Sequence, residues 1–248
     1  QQYRMGDDDA ALEGLKAFTA KQLGVPAGQL AKQPGYSLKG NYTREAGWRR
    51  HARIGWTASK LQSFMGKNAT VAHTVKGGAG NLLSFFQMAM KNGALLSNNQ
   101  KPFYGVSING YSTSSDFNEG GTQGLFCVFR KFGSAGSNVL YFDIALCLRT
   151  DVYVVGSGDA FGNVHTERYT TPEQWKGHVG TGDIGASSHY QINARHDIDL
   201  QTYLLAAVCS SAGDRDQIRK MCKDMGWTKF ARGRSIEQVI VTGAEAKF

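Results

Sequence analysis

The residues of this chain best suited to chemistry are a histidine, a run of hydroxyls and a lone glutamine, each beside a strand-like apolar segment. His73 and Thr74 end the run TVAHT, just before a glycine-rich stretch holding Gly77, Gly78 and Gly80. Tyr111, Ser112, Thr113 and Ser114 form the hydroxyl run, with Asp116 and Glu119 shortly after it. Gln191 stands in HYQIN. A polar strand end facing a hydroxyl-rich loop is how a fold builds a small-molecule cleft from segments remote in sequence, so the His73 strand end and the hydroxyl run are expected to face each other. Neutral imidazole, hydroxyl and amide groups hold a ligand by hydrogen bonds, but an amide cannot act as a base. Plainer readings stand beside these. His73 could be a core histidine, the Ser-Thr-Ser run an ordinary polar turn, and Gln191 a strand residue bonded to backbone.

Other chemistries find less support. The Gly77-Gly78-Ala79-Gly80 run lacks the Lys-Ser/Thr ending of a phosphate-binding P-loop and has the wrong spacing for GxGxxG. His165, His178, His189 and His196 show no metal-ligand spacing, so no metal site is expected. Cys127, Cys147, Cys209 and Cys222 match no CxxC or zinc pattern. Three of them lie in apolar strand-like runs, which predicts buried free thiols and a reducing compartment.

Two regions must position these residues. Residues 1–66 read as a helical, basic N-terminal lobe: DDDAALEGLKAFTAKQLG has acids in its first turn, helically spaced apolar residues and a glycine stop. A second helical stretch reaches about Met65. From Thr70 the pattern turns to strands: TVAHT, YGVSI, GLFCVFR, NVLYFDIAL, TDVYVVG, YQINARHDI, LLAAVCSS and QVIVTG. A helix carrying Leu82, Leu83, Phe86, Met90 and Leu95 follows the first strand, and a late helix from Gly213 to Met225 ends at Gly226. The expected class is α+β, a helical lobe on a mixed, mostly β core spanning 67–248.

Charge is uneven. Of a formal net charge of +8, five units fall in residues 1–66, where ten Lys/Arg face five acids. In NYTREAGWRRHARIGW, Arg49, Arg50 and Arg53 interleave with Trp48 and Trp56. Guanidinium groups beside aromatic faces suit phosphate neutralisation and base stacking. A helix that docks its tryptophans and solvates its arginines is the alternative. No apolar run approaches the roughly 20 residues that span a bilayer. A chain that begins at Gln1 is expected to be a fragment or processed product.

The order of a His-Thr strand end, the helix NLLSFFQMAMKNGALL, a Gly-Tyr-Ser-Thr-Ser loop, EGGTQGLFCVF, LRTDVYVV and a late YQI strand resembles the ADP-ribosyltransferases, in particular those with a histidine in the first motif. The resemblance covers residues 68–242. It implies an NAD-dependent transferase of the glycosyltransferase class, cleaving the nicotinamide-ribose bond through an oxocarbenium-like state. His73 would bind NAD with Thr74 and the backbone at Gly77 and Gly78, and Tyr111, Ser112, Thr113 and Ser114 would shape the nicotinamide pocket. The third motif normally supplies a Glu; here Gln191 stands there, which leaves activation of the acceptor to Glu119 or Asp116. The basic lobe suggests a macromolecular acceptor, nucleic acid foremost, with protein as the other choice. A toxin or effector domain acting in the cytoplasm fits that picture. Two other classes stay open: a nucleic-acid-binding module without catalysis, in keeping with a pI near 9.3, and a nuclease-type toxin domain using His73 or His189. Neither of them binds NAD.

Overall fold

The computed structural model describes residues 26, 56–75, 81–92, 95, 125–149, 152–155, 168–169, 173, 191–194 and 198–247. Helix α1 (Ala58–Met65) starts where the Thr57 side chain accepts from the Lys60 N–H at 3.1 Å and stops at Gly66, whose φ of 114° favours glycine. Leu61 and Met65 are buried in the main core. The end of the expected N-terminal lobe is thus part of the core it was expected to sit on.

After α1 come β1 (Ala69–Thr74), α2 (Asn81–Asn92), β2 (Leu125–Lys131), β3 (Val139–Phe142), β4 (Val152–Val155), β5 (Arg168–Tyr169) and β6 (Gln191–Ala194). Helix α3 (Leu200–Tyr203), β7 (Leu204–Cys209), α4 (Ala212–Asp224), α5 (Ile236–Val239) and β8 (Ile240–Thr242) complete the order. The strands form a single sheet in the order β5-β4-β6-β2-β1-β3-β7-β8, antiparallel except for the parallel pair β7-β8. The α+β class expected from the sequence is what this architecture shows.

Both faces of the sheet are covered. One carries Val71, Cys127, Phe129, Leu140, Phe142, Ile192 and Cys209 against Leu82, Phe86, Ile218 and Cys222 of the helices. The other carries Ala72, Val139, Tyr141, Ala206, Val208 and Val241. Double coverage explains why β3 and β7 are apolar without alternation. Because β2 and β3 both lie antiparallel to β1, on its two sides, the short connection 132–138 runs back over β1 from the Ala69 end to the Thr74 end. It is pinned there by the Phe132 ring 4.9 Å from Tyr141 and by the Ala135 N–H donating to the Tyr141 hydroxyl at 2.9 Å. Left-handed backbone at Gly133, Gly136 and Asn138 makes so tight a path possible.

Two local departures have side-chain causes. NVLYFDIAL stops being a strand at Phe142, because the Asp143 carboxylate accepts from the Ala145 N–H at 2.9 Å and starts a 3-10 helix, Ile144–Leu148. QVIVTG is strand only from Ile240. Gln238 and Val239 belong to α5, opened by a capping box in which Ser235 and Gln238 each bond the other's backbone N–H. Within YQINARHDI, Gln191–Ala194 is strand and Ile198 forms an isolated bridge with Leu95. YGVSI lies outside the described residues.

Asp143 also ties remote parts together. Its buried carboxylate accepts from Arg232 Nε at 2.7 Å and Nη2 at 3.2 Å, and Arg232 donates in addition to Gln62 of α1. Arg232 holds a left-handed φ of 58° in doing so. Replacing Asp143 by Ala removes a helix cap and leaves the guanidinium without its buried partner. The arginine still reaches water, so the expected loss is about 2–3 kcal/mol, somewhat below that of a fully buried pair. On a chain of this size that lowers Tm by about 4–12 °C in a thermal melt. A drop under about 2 °C would mean that the pair behaves as a surface ion pair.

Candidate functional site

His73 is the penultimate residue of β1, so the strand delivers its ring to the edge of the main core. It pairs in register with Leu140 of β3. The ring is half-buried, with its centroid 5.3 Å from that of Phe85 on α2 and tilted 38° to it. Thr74, the last strand residue, is exposed. The strand end is anchored on its far side, where the Val75 N–H donates to the Asn138 carbonyl at 2.8 Å.

Gln191 opens β6, and β6 pairs with β2 as β1 does. The two strands bearing the first and third expected positions are therefore next-but-one neighbours. Gln191 lies opposite Val128, which lies opposite Ala72. Position 191 is thus one row away from His73, at about 10 Å on standard strand spacings, and out of phase with it, on the other face of the sheet. On the face that His73 shares, β6 contributes the buried Ile192 and Ala194. The register brings positions 73 and 191 near each other in the plane of the sheet without setting them in one row on one face.

Gly77, Gly78, Gly80, Tyr111, Ser112, Thr113, Ser114, Asp116 and Glu119 lie outside the described residues, as do Trp48, Arg49, Arg50 and Arg53. Trp56 is described. It packs partly buried on the main core, with its ring centroid 5.2 Å from Phe64 edge-on and Lys60 Nζ 4.8 Å from its own centroid. This is the docking arrangement for a tryptophan, with the ring already engaged by its own chain.

All four cysteines are buried free thiols. Burial, with Cys147 nearby, raises the Cys127 thiol far above its ordinary range. Burial, with Asp214 adding to it, pushes Cys209 up to about 12, and burial with Cys209 nearby does the same to Cys222. A thiol held protonated in this way is a packing residue and a poor nucleophile. Among the described residues no group of three His, Cys, Asp or Glu side chains could hold a metal ion, and no helix is long and apolar enough to cross a membrane.

Asn138 is the polar residue at the His73 end that sequence reasoning missed. It has a left-handed φ of 56°, and its buried side-chain oxygen Oδ1 has no hydrogen-bond partner among the described residues, a state shared by the buried Ser134 Oγ of the same connection. Its only signal in the sequence is an Asn closing a Gly/Ser-rich turn. No protein-family model, curated protein or solved structure matches the chain, so a functional reading rests on its own residues.

Proposed function

We propose that this chain is an NAD-dependent ADP-ribosyltransferase that holds the nicotinamide end of NAD at the His73 end of β1. The observation that carries the reading is the order of motifs in the sequence, from the His-Thr strand end to the late YQI strand. Support comes from the sheet, in which the strands bearing the first and third motifs flank β2. The half-buried His73 ring beside Phe85 also offers the kind of flat aromatic wall that suits a nicotinamide ring.

Bound NAD supplies the electrophilic anomeric carbon and the nicotinamide leaving group. The His73 imidazole and the Thr74 hydroxyl, at the end of β1, supply hydrogen bonds that fix the ribose. The amide of Gln191 could bond a ribose hydroxyl but takes no proton, so the acceptor's proton passes to a carboxylate, Glu119 or Asp116 in this reading. The acceptor is an anionic macromolecule, drawn by the positive excess in residues 1–66.

A thermal-shift titration with NAD tests this. A ligand that binds only the native state, at 100 times its Kd, adds about 2.7 kcal/mol, which on a chain of this size raises Tm by about 5–10 °C. Released nicotinamide is measured on the same samples. An unmoved melt at about 5 mM NAD, above the ordinary range of KM, together with no released nicotinamide, would sink the proposal. Strong salt-dependent binding of nucleic acid in that case would favour a binding module or a nuclease instead.

A further inference from the structure

Unmet polar groups gather in one short stretch of this fold. Among the described residues four buried side-chain polar atoms have no hydrogen-bond partner, and three of them, Arg130 Nε, Ser134 Oγ and Asn138 Oδ1, lie within residues 130–138. Native proteins rarely leave such groups unpaired, and a group with an unmet bond favours any state that lets water reach it. The backbone carries a second cost in the same place, since Asn138 is a non-glycine residue at a left-handed φ of 56°.

The connection is held firmly at its ends and sparsely between them. At one end the Phe132 N–H donates to the Asn68 carbonyl at 2.9 Å. At the other the Asn138 N–H donates to the Val208 carbonyl of β7 at 2.7 Å, and the Asn138 carbonyl accepts from the Val75 N–H at 2.8 Å. Between these anchors the Ala135 N–H bonds the Tyr141 hydroxyl at 2.9 Å, while the Ser134 N–H turns back to the Lys131 carbonyl beside it. Gly133 and Gly136, both exposed and both left-handed, stand on either side of Ser134 and Ala135 and can absorb a change of path. We propose that residues 133–137 form a strap that lifts off Tyr141 in the native protein, hinged at these glycines, while the sheet beneath stays folded. Lifting admits water to the three unmet groups and uncovers the Tyr141 face of the sheet, where Ala72, Val139 and Val208 also lie. The far anchor holds the chain just past β1, so the strap is tied to the strand end that carries His73. The inference holds whether or not that end binds NAD.

Thiol labelling tests it. Ser134→Cys puts a thiol in the place of the sealed hydroxyl, and the four native cysteines, all buried, report unfolding of the core in the same sample. With an aromatic disulfide reagent and mass spectrometry to locate the adducts, position 134 is expected to be labelled about 100-fold faster than Cys127. Low urea should scarcely change that rate, because a local opening exposes little surface. Tyr141→Phe in the same background removes the central bond of the strap and is expected to speed labelling at position 134 several-fold, up to about ten-fold, the size of one lost hydrogen bond. Labelling at position 134 that keeps pace with Cys127, in rate and in urea dependence, overturns the inference, because the segment then opens only when the core unfolds. Fast labelling that Tyr141→Phe leaves unchanged overturns it as well, because the reagent then reaches the thiol without any lifting.

Discussion

Substitution of His73 by alanine is expected to lower kcat/KM for NAD about 100-fold or more, the scale of a lost positioning group. The fold should survive. The ring sits at the edge of the core and its packing partner is Phe85, a contact whose loss costs about 1 kcal/mol and a few degrees of Tm. Gln191→Ala is the companion variant. A comparable loss there means that bound NAD reaches round the strand ends to a position out of phase with His73. Unchanged turnover in Gln191→Ala moves the third-motif role to another residue, Glu119 first. Full activity in His73→Ala removes the first motif and with it the basis of the functional reading.

The second large effect is alkaline. The thiols of Cys127, Cys209 and Cys222 ionise in the folded chain only well above their ordinary pKa of 9.0, chiefly because they are buried. In the unfolded chain they lose their protons near that ordinary value. Between about pH 9 and 12 the unfolded state therefore holds fewer protons than the folded one, and stability falls as pH rises. The stabilisation is fully present below pH 9 and is lost progressively above it. Each such thiol contributes a slope of up to about 1.4 kcal/mol per pH unit. Burial raises the Tyr141 phenol as well, against a weaker opposing pull from the Ala135 N–H, and so adds in the same direction. Urea midpoints at about pH 8 and 10.5 should differ clearly, and a Cys127→Ala variant should show a flatter decline. Midpoints that stay level over this range would show that the thiols are far more open to water than their burial indicates.

Much of the local structure was legible because its signals are local. Acids early, cations late and Gly226 after the end bracket α4, which runs Ala212–Asp224. The apolar runs of β2, β3 and β7 mark doubly covered strands. The misreadings were also local, and their cues were present: Asp143 before IAL and the Ser235 to Gln238 spacing are both helix-start patterns, hidden inside β-branched and apolar runs that favour strand. Sheet order was not legible. It depends on pairings such as Val128 with Gln191, decided by packing between segments far apart in the chain, and the one-residue phase between positions 73 and 191 follows from that register alone. Asn138 escaped for a related reason, since neither its unmet oxygen nor its neighbours Val75 and Val208 can be read from a turn sequence.

The last strand, β8, is the border of the sheet, and borders of sheets are where other chains attach. Here the attachment points are already taken. The Ile240 N–H bonds the Ile236 carbonyl, and the Ile240 carbonyl accepts from Arg219 Nε at 2.8 Å. Thr242 donates to the Glu245 carboxylate at 2.9 Å and its carbonyl accepts from the Glu245 N–H at 3.0 Å. Arg215 and Arg219 hold that carboxylate from the helix side. A β-branched segment that would otherwise be a template for cross-chain pairing is closed by the chain's own hydrogen bonds. Recruitment of an extended peptide or of a second copy along this border would first have to break four of them, which makes it a built-in guard against fibre-like growth.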